Sequence, residues 1–254
     1  MKKFNCLFGI LLFTTFTFFA SCSGEKENNQ DKETTHLLRF SPQDGDNYDI
    51  SFVMNMEGLM DMSMGMECFQ KVLSVDGDEI DFKIGYDKAT MSMSMMGEDI
   101  NYDSDNPYEN EVTSEMHKEI SPLFSADLRM TMDSRGKILK ESGYELLGGD
   151  FGSQMGLTNV EYPEHALNIG DSFDFSVLEE GMSMDATYTL IDVSDSEYIL
   201  SITGELVGEA SGKVTGKMIL FRECGMPKTV NLQIEMDIEG QKMNMILSLM
   251  AIKS

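Results

Sequence analysis

The chain has 254 residues, 41% hydrophobic and 25% charged, enough apolar material for a sizeable core in one or two domains. Its formal net charge is −25 at pH 7, from 44 acidic against 19 basic residues. A surface of that sign argues against nucleic acid and anionic lipid headgroups as partners and favours solubility.

The first element is a leader. Lys2 and Lys3 are followed by an apolar stretch, Phe4–Ala20, and by small residues before Cys22. Basic start, apolar run and small residues are the three parts of a secretory signal. The ending Phe19-Ala20-Ser21-Cys22 resembles a bacterial lipoprotein signal, which implies cleavage before Cys22 and a glyceryl lipid on its thiol. The 17-residue stretch is interrupted by Asn5, Thr14, Thr15 and Thr17, so it is short for a bilayer span. Loss of residues 1–21 takes away two lysines and no acid, so −25 becomes −27. Stable anchoring takes about two acyl chains, at about 0.8 kcal/mol per buried methylene. Residues 22–35 are polar and charged beyond Cys22 and read as a flexible tether. The expected address is the cell envelope, lipid-anchored in the outer membrane and facing either periplasm or cell surface.

From His36 onwards the pattern has period two. Tyr48, Ile50, Phe52, Met54 and Met56 alternate with polar residues, and only Val53 breaks the rule. Met60, Met62, Met64, Met66 and Cys68 alternate with Asp61, Ser63, Gly65 and Glu67; Ile80, Phe82, Ile84 and Tyr86 repeat the pattern. Successive strand side chains point to opposite faces, so each segment has one apolar and one acidic face. A helix is predicted over 107–121, with Asn106 as cap, Pro107 at the first position, Glu109 in a capping box and Pro122 ending it. Its apolar stripe would be Val112, Met116 and Ile120. Residues 143–169 carry Gly143, Gly148, Gly149, Gly152 and Gly156 and read as a mobile linker. Strand alternation then returns and ends with Val230, Leu232, Ile234, Met236 and Ile238. Turn chemistry separates about eleven to twelve strands.

The chain also looks duplicated. Gly45-Asp46-Asn47-Tyr48 resembles Gly170-Asp171-Ser172-Phe173, and Leu73-Ser74-Val75-Asp76 resembles Ile191-Asp192-Val193-Ser194, in the same order. The expected fold is mainly β: an antiparallel half-barrel or sandwich of two duplicated halves, 36–142 and 170–254, with one covering helix.

Leu38-Arg39-Phe40, Gly45-Asp46-x-Tyr48, the Met-x-Met strands, Tyr102-Asp103-Ser104 and Gly170-Asp171-Ser172-Phe173 are together similar to a family of Bacteroidota lipoproteins carrying a domain of unknown function. Where that family often has Trp, this chain has Phe173. The resemblance implies an exported lipoprotein, and it carries over no catalytic residues.

The chemistry the residues suggest is sparse. Cys68 and Cys224 remain after the leader and lipidation are accounted for, an even pair that could form a disulfide or stay as two buried thiols. The 23 methionines are the compositional outlier. They fill a core, line an adaptable apolar pocket, or bind Cu(I), which soft thioethers select. The candidate ligand face is Met54, Met56, Met60, Met62, Met64 and Met66. His36, His117 and His165 are scattered and match no zinc spacing. Asp103, Asp105, Asn106 and Glu109 could gather around Ca²⁺ but lack the EF-hand spacing, and Asp76-Gly77-Asp78-Glu79 reads as a hairpin turn. No nucleophile elbow, phosphate loop or dinucleotide fingerprint is present. No catalytic residue and no cofactor is assigned. The expected function is a non-enzymatic envelope lipoprotein that binds an apolar or lipid-like ligand or serves as a structural or interaction module. The alternative is a Met-rich protein that handles Cu(I), and an enzyme comes third.

Overall fold

Alternation of apolar and polar residues produces twelve strands and one helix in the computed structural model, which describes residues 35–58, 61–95, 98–143, 160–179, 182–208, 210–238 and 240–254. The strands of the first half are β1 (Asn47–Glu57), β2 (Asp61–Asp76), β3 (Glu79–Met95), β4 (Glu98–Asp103), β5 (Leu128–Asp133) and β6 (Ile138–Ser142), with α1 (Glu111–Ser125) between β4 and β5. The second half holds β7 (Ser172–Glu179), β8 (Met182–Val193), β9 (Glu197–Gly208), β10 (Ser211–Phe221), β11 (Pro227–Ile238) and β12 (Gln241–Lys253). All pair antiparallel in one open sheet, ordered β6-β5-β3-β2-β1-β12-β11-β10-β9-β8-β7, with β4 also on β3. The first and last strands therefore meet in the middle, in register from Tyr48 opposite Lys253 to Glu57 opposite Asn244. The two halves share a sheet and one hydrophobic core.

Parity sets the two faces. Tyr48, Phe52, Met64, Met66, Cys68, Ile80, Phe82, Val230, Leu232 and Ile234 are buried on the inner face, while Asp49, Asp61 and Glu67 face water. Small residues draw strands together on the inner face of the second half. A Cβ on Gly204 would meet the backbone of Asp185 and Ala186 on β8, and one on Gly216 would meet Asn231 and Leu232 on β11. Glycines of this kind let a sheet curl towards its apolar side.

The duplicated markers occupy equivalent places. Before β1, Gly45 N–H donates to Val72 O (3.0 Å), Val72 N–H returns to Asp46 O (2.8 Å), and Asp46 N–H reaches Gln43 O (3.0 Å). Before β7, Gly170 N–H donates to Leu190 O (2.7 Å), Leu190 N–H to Asp171 O (3.0 Å), and Asp171 N–H to Asn168 O (3.1 Å). Asp46 and Asp171 each accept a further backbone N–H, from Gln43 and Asn168, both three residues back. The glycine has φ +84° in one turn and +99° in the other, left-handed values that favour Gly. Immediately beyond each closing strand residue the register slips, at Val72/Ser74 and at Leu190/Asp192, so Leu73 and Ile191 are matching bulge residues turned outwards.

One difference between the halves explains the helix. In the second half β10 runs unbroken along β9, from Gly212 opposite Leu206 to Phe221 opposite Glu197. In the first half the same position is split: β4 pairs residues 90–95 of β3 and β5 pairs residues 79–84, both in the direction of β10. The segment between them carries α1, so the helix is inserted into a strand position and lies against β3 and β4.

The helix differs from the predicted 107–121. Asn110 is the cap: its side chain accepts from Thr113 N (3.0 Å), and Thr113 Oγ1 accepts from Asn110 N (3.1 Å). Asn106 instead donates its amide to Glu109 Oε1 (2.9 Å), closing a preceding turn. Pro122 lies within the last turn rather than ending it, because buried Leu123 and partly buried Phe124 hold that turn on the core. The inward stripe is Thr113, Met116, Ile120 and Leu123, and Val112 is 49% exposed, outside it. The linker reading fails for the described part of 143–169: Val160, Tyr162 and Leu167 are fully buried. Residues 144–159 lie outside the described residues.

Candidate functional site: a methionine-lined cavity beneath the helix

Side chains along the inner face change character from one end of the strands to the other. At one end aromatic and aliphatic groups close the core. Phe40 stacks on Tyr162 (4.7 Å between centroids), and Tyr162 OH donates to Gly225 O (2.6 Å). Arg39 donates to the carbonyls of Leu38 (2.6 Å), Pro163 (2.7 Å) and Glu164 (2.9 Å), and Arg135 holds Tyr162 O (2.8 Å) and Glu161 (2.8 Å). Those contacts fasten residues 160–164 to the amino-terminal segment and the β5–β6 turn.

The other end is methionine. Register places Met93, Met62, Met56 and Met245 directly opposite one another on β3, β2, β1 and β12. One step inward stand Met91, Met64 and Met54, then Leu247 and Leu232. Opposed residues on neighbouring strands have Cβ atoms about 4.5–5.5 Å apart, so each row is a continuous band of side chains. Met64 and Met66 are buried, and Met54, Met56, Met62, Met93 and Met245 are only partly covered. Five of the six methionines of the candidate ligand face thus share the inner face; Met60 lies outside the described residues.

α1 covers one corner of this band. Between them is a cavity of about 220 Å³, walled by Met64, Met66, Ala89, Thr90, Met91 and Tyr102 from the sheet and by Met116, Ile120 and Glu119 from the helix. Tyr102 OH and His117 Nδ1 are 2.9 Å apart and join β4 to α1. Burial, with the nearby Asp103 and Tyr108 adding to it, raises the Tyr102 pKa above the ordinary tyrosine value, so the phenol stays neutral. Tyr108 meets the His117 ring edge-on at 5.5 Å. Methionine alternation was visible in the sequence; the cavity was not, because β4 and the helix insertion bring Tyr102 and Glu119 to it. A second depression, of about 410 Å³, lies over β3, β5 and β6 and includes Asp81, Arg129, Thr131 and Lys140. Asp81 there is committed, accepting from Thr131 Oγ1 (2.6 Å) and Ser74 Oγ (2.9 Å), and Glu141 also lines the depression.

The other candidates have structural partners. Cys68 and Cys224 are buried free thiols, and the disulfide alternative is not formed. Cys68 faces Tyr86 and Ile50 on its two neighbouring strands, whereas Cys224 sits in the turn after β10, where Tyr48 OH donates to its Sγ (3.5 Å). Asp103 and Asp105 hold Lys88 Nζ at 3.3 and 2.6 Å. Asp76–Glu79 span the β2–β3 hairpin, with Gly77 at φ +63°. His36 bridges to Leu167 through the backbone. Cys22, the leader and most of the tether lie outside the described residues.

Fold and site together define a β-sheet protein with an apolar inner face and a helix set over part of it. No protein-family model matches the sequence, and no curated protein matches it. Among solved structures, one of lipovitellin, concerned with lipid–protein interactions in that protein, is similar with a TM-score of 0.55 and 10% sequence identity. The match covers 84% of this chain and 25% of the lipovitellin chain, so this chain spans about a quarter of that length. At that identity the likeness is one of fold.

Proposed function

We propose that this protein is an envelope lipoprotein, held by a lipid on Cys22, whose methionine-lined inner face takes up an apolar, lipid-like ligand beneath α1. The observation behind the reading is the cavity of about 220 Å³ between Met64, Met66 and Met91 and the helix residues Met116 and Ile120. Thioether side chains are unbranched and repack around different shapes, and a band of them suits an extended chain better than one rigid outline. The similarity to lipovitellin adds a fold-level analogy. The leader motif supports the envelope address, in the outer membrane, towards periplasm or surface. Cys22→Ser is expected to move the protein from the membrane to the soluble fraction.

Native mass spectrometry of the protein purified from its own envelope tests the ligand reading. A co-purifying lipid-sized mass supports it. No such mass, together with no uptake of the neutral apolar dye Nile red, overturns it in favour of a structural or interaction module. Met62→Leu and Met64→Leu nearly keep volume and are expected to cost under about 1.5 kcal/mol while changing dye affinity.

One observation favours a second reading, Cu(I) handling. Met93, Met62, Met56 and Met245 are side by side on four neighbouring strands, and one Cu(I) would need thioethers from several strands. Stoichiometric Cu(I) binding lost on Met56→Leu/Met62→Leu would establish it.

A further inference from the structure

The cavity beneath α1 has mostly apolar walls and a single carboxylate. Its sheet side is Met64, Met66, Ala89, Thr90, Met91 and Tyr102, and its helix side adds Met116 and Ile120. Glu119 is the one ionisable carboxylate in the lining, and no Lys or Arg is part of it. The Tyr102 hydroxyl is engaged with His117. Glu119 itself has no ion-pair partner among the described residues, and the nearby Lys118 lies 4.0 Å from Glu115. Lys88, next to Ala89, is committed to Asp103 and Asp105.

An amphiphile entering this cavity places its chain against the thioethers and its head beside Glu119. A carboxylate or phosphate head would meet an unpaired carboxylate, no compensating cation, and the field of a chain with net charge −25. An ammonium head would complete an ion pair there. The volume matters too: about 220 Å³ is below the roughly 300–1,000 Å³ of ordinary ligand pockets, room for part of one chain rather than two. We infer that the cavity selects single-chain amphiphiles with a positively charged amine head, with Glu119 as the residue that reads the head. This rests on the apolar-ligand reading above and narrows it.

The test compares three probes of equal alkyl chain, an alkylammonium, the matching alcohol and the matching carboxylate, each below its micellar concentration, as competitors of Nile red on the full folded domain. The expected order is ammonium, then alcohol, then carboxylate. Glu119 is exposed at the cavity rim, so Glu119→Gln is expected to lower ammonium affinity about two- to fivefold, the size of an exposed ion pair, and to leave the alcohol unchanged. Glu111→Gln makes the same change of net charge at the amino end of the same helix, outside the cavity lining, and is expected to have no comparable effect. If no probe binds, the apolar-ligand reading itself fails. If all three bind equally, or the carboxylate binds best, that reading stands and the amine inference is overturned. Equal effects of Glu111→Gln and Glu119→Gln also overturn it, since the protein's overall field would then be the cause.

Discussion

Single buried groups hold the closed end of the molecule. The Tyr162 hydroxyl is fully buried and donates to Gly225 O at 2.6 Å. Removing it leaves a buried carbonyl short of a donor, which costs roughly 1–3 kcal/mol. Tyr162→Phe should lower unfolding free energy in urea by that amount; a loss below about 0.5 kcal/mol would mean another donor replaces it. The thiols make a second case. Burial, aided by the nearby Asp87 carboxylate, pushes the Cys68 pKa up to about 12, and burial raises that of Cys224 as well. A thiolate is the reactive form, so both should resist alkylation in the folded protein and react in denaturant. Mass spectrometry without reductant checks this: a mass two hydrogens light, with no alkylation in denaturant, would reveal a disulfide.

At the scale of the element, α1 is stabilised separately from the sheet it rests on. Its capping box joins Asn110 and Thr113, and its main contacts are with β3 and β4. Asn110→Ala should cost about 1 kcal/mol, and because the helix interrupts a strand position rather than bridging strands, the loss should stay local. Hydrogen exchange should speed up over residues 111–125 while β8–β11 keep their protection. Equal acceleration across the sheet would show that the helix is integral to folding rather than set over the inner face. The split of one strand into β4 and β5 gives this expectation its structural basis, since the unbroken β10 shows that the position does not need a helix.

For the whole molecule the decisive contact is between its ends. β1 and β12 form the middle of the sheet, so neither half has a complete set of strand neighbours alone. Lys253, near the carboxyl end, reaches Asp46 before β1 at 2.9 Å and Glu223 at 3.2 Å. Burial pushes the Asp46 pKa up, but the Gln43 N–H, Lys253 and Tyr48 outweigh it, and the net pKa lies below the ordinary 3.8. A depressed carboxyl pKa contributes stability that is complete above the unfolded value and lost as pH falls through the folded one. Lys253 is raised above 10.5, chiefly by Asp46, so its share is complete below 10.5 and lost as pH rises through the higher folded value. Asp46→Asn should therefore be less stable than the parent at neutral pH, and the gap should narrow as pH drops below 3.8. Urea midpoints measured across that range test it; a constant gap would show that the carboxylate charge is not involved.

The sequence alone determined which residues face inwards, because strand parity is local: Phe52, Met64, Met66, Val230 and Leu232 are readable from their neighbours. It also revealed the paired Gly-Asp turns, whose hydrogen bonds span few residues apart from one strand partner. Only the tertiary structure decided that β1 lies beside β12, that α1 occupies a strand position and begins at Glu111, and that Cys68 and Cys224 stay apart as thiols. Antiparallel edges pair through backbone groups that every residue carries, so side-chain alternation specifies a face without naming the neighbouring strand. The cavity beneath the helix follows from that pairing, since Met64, Tyr102 and Glu119 meet only once β4 has joined β3 and the chain has turned back over the sheet.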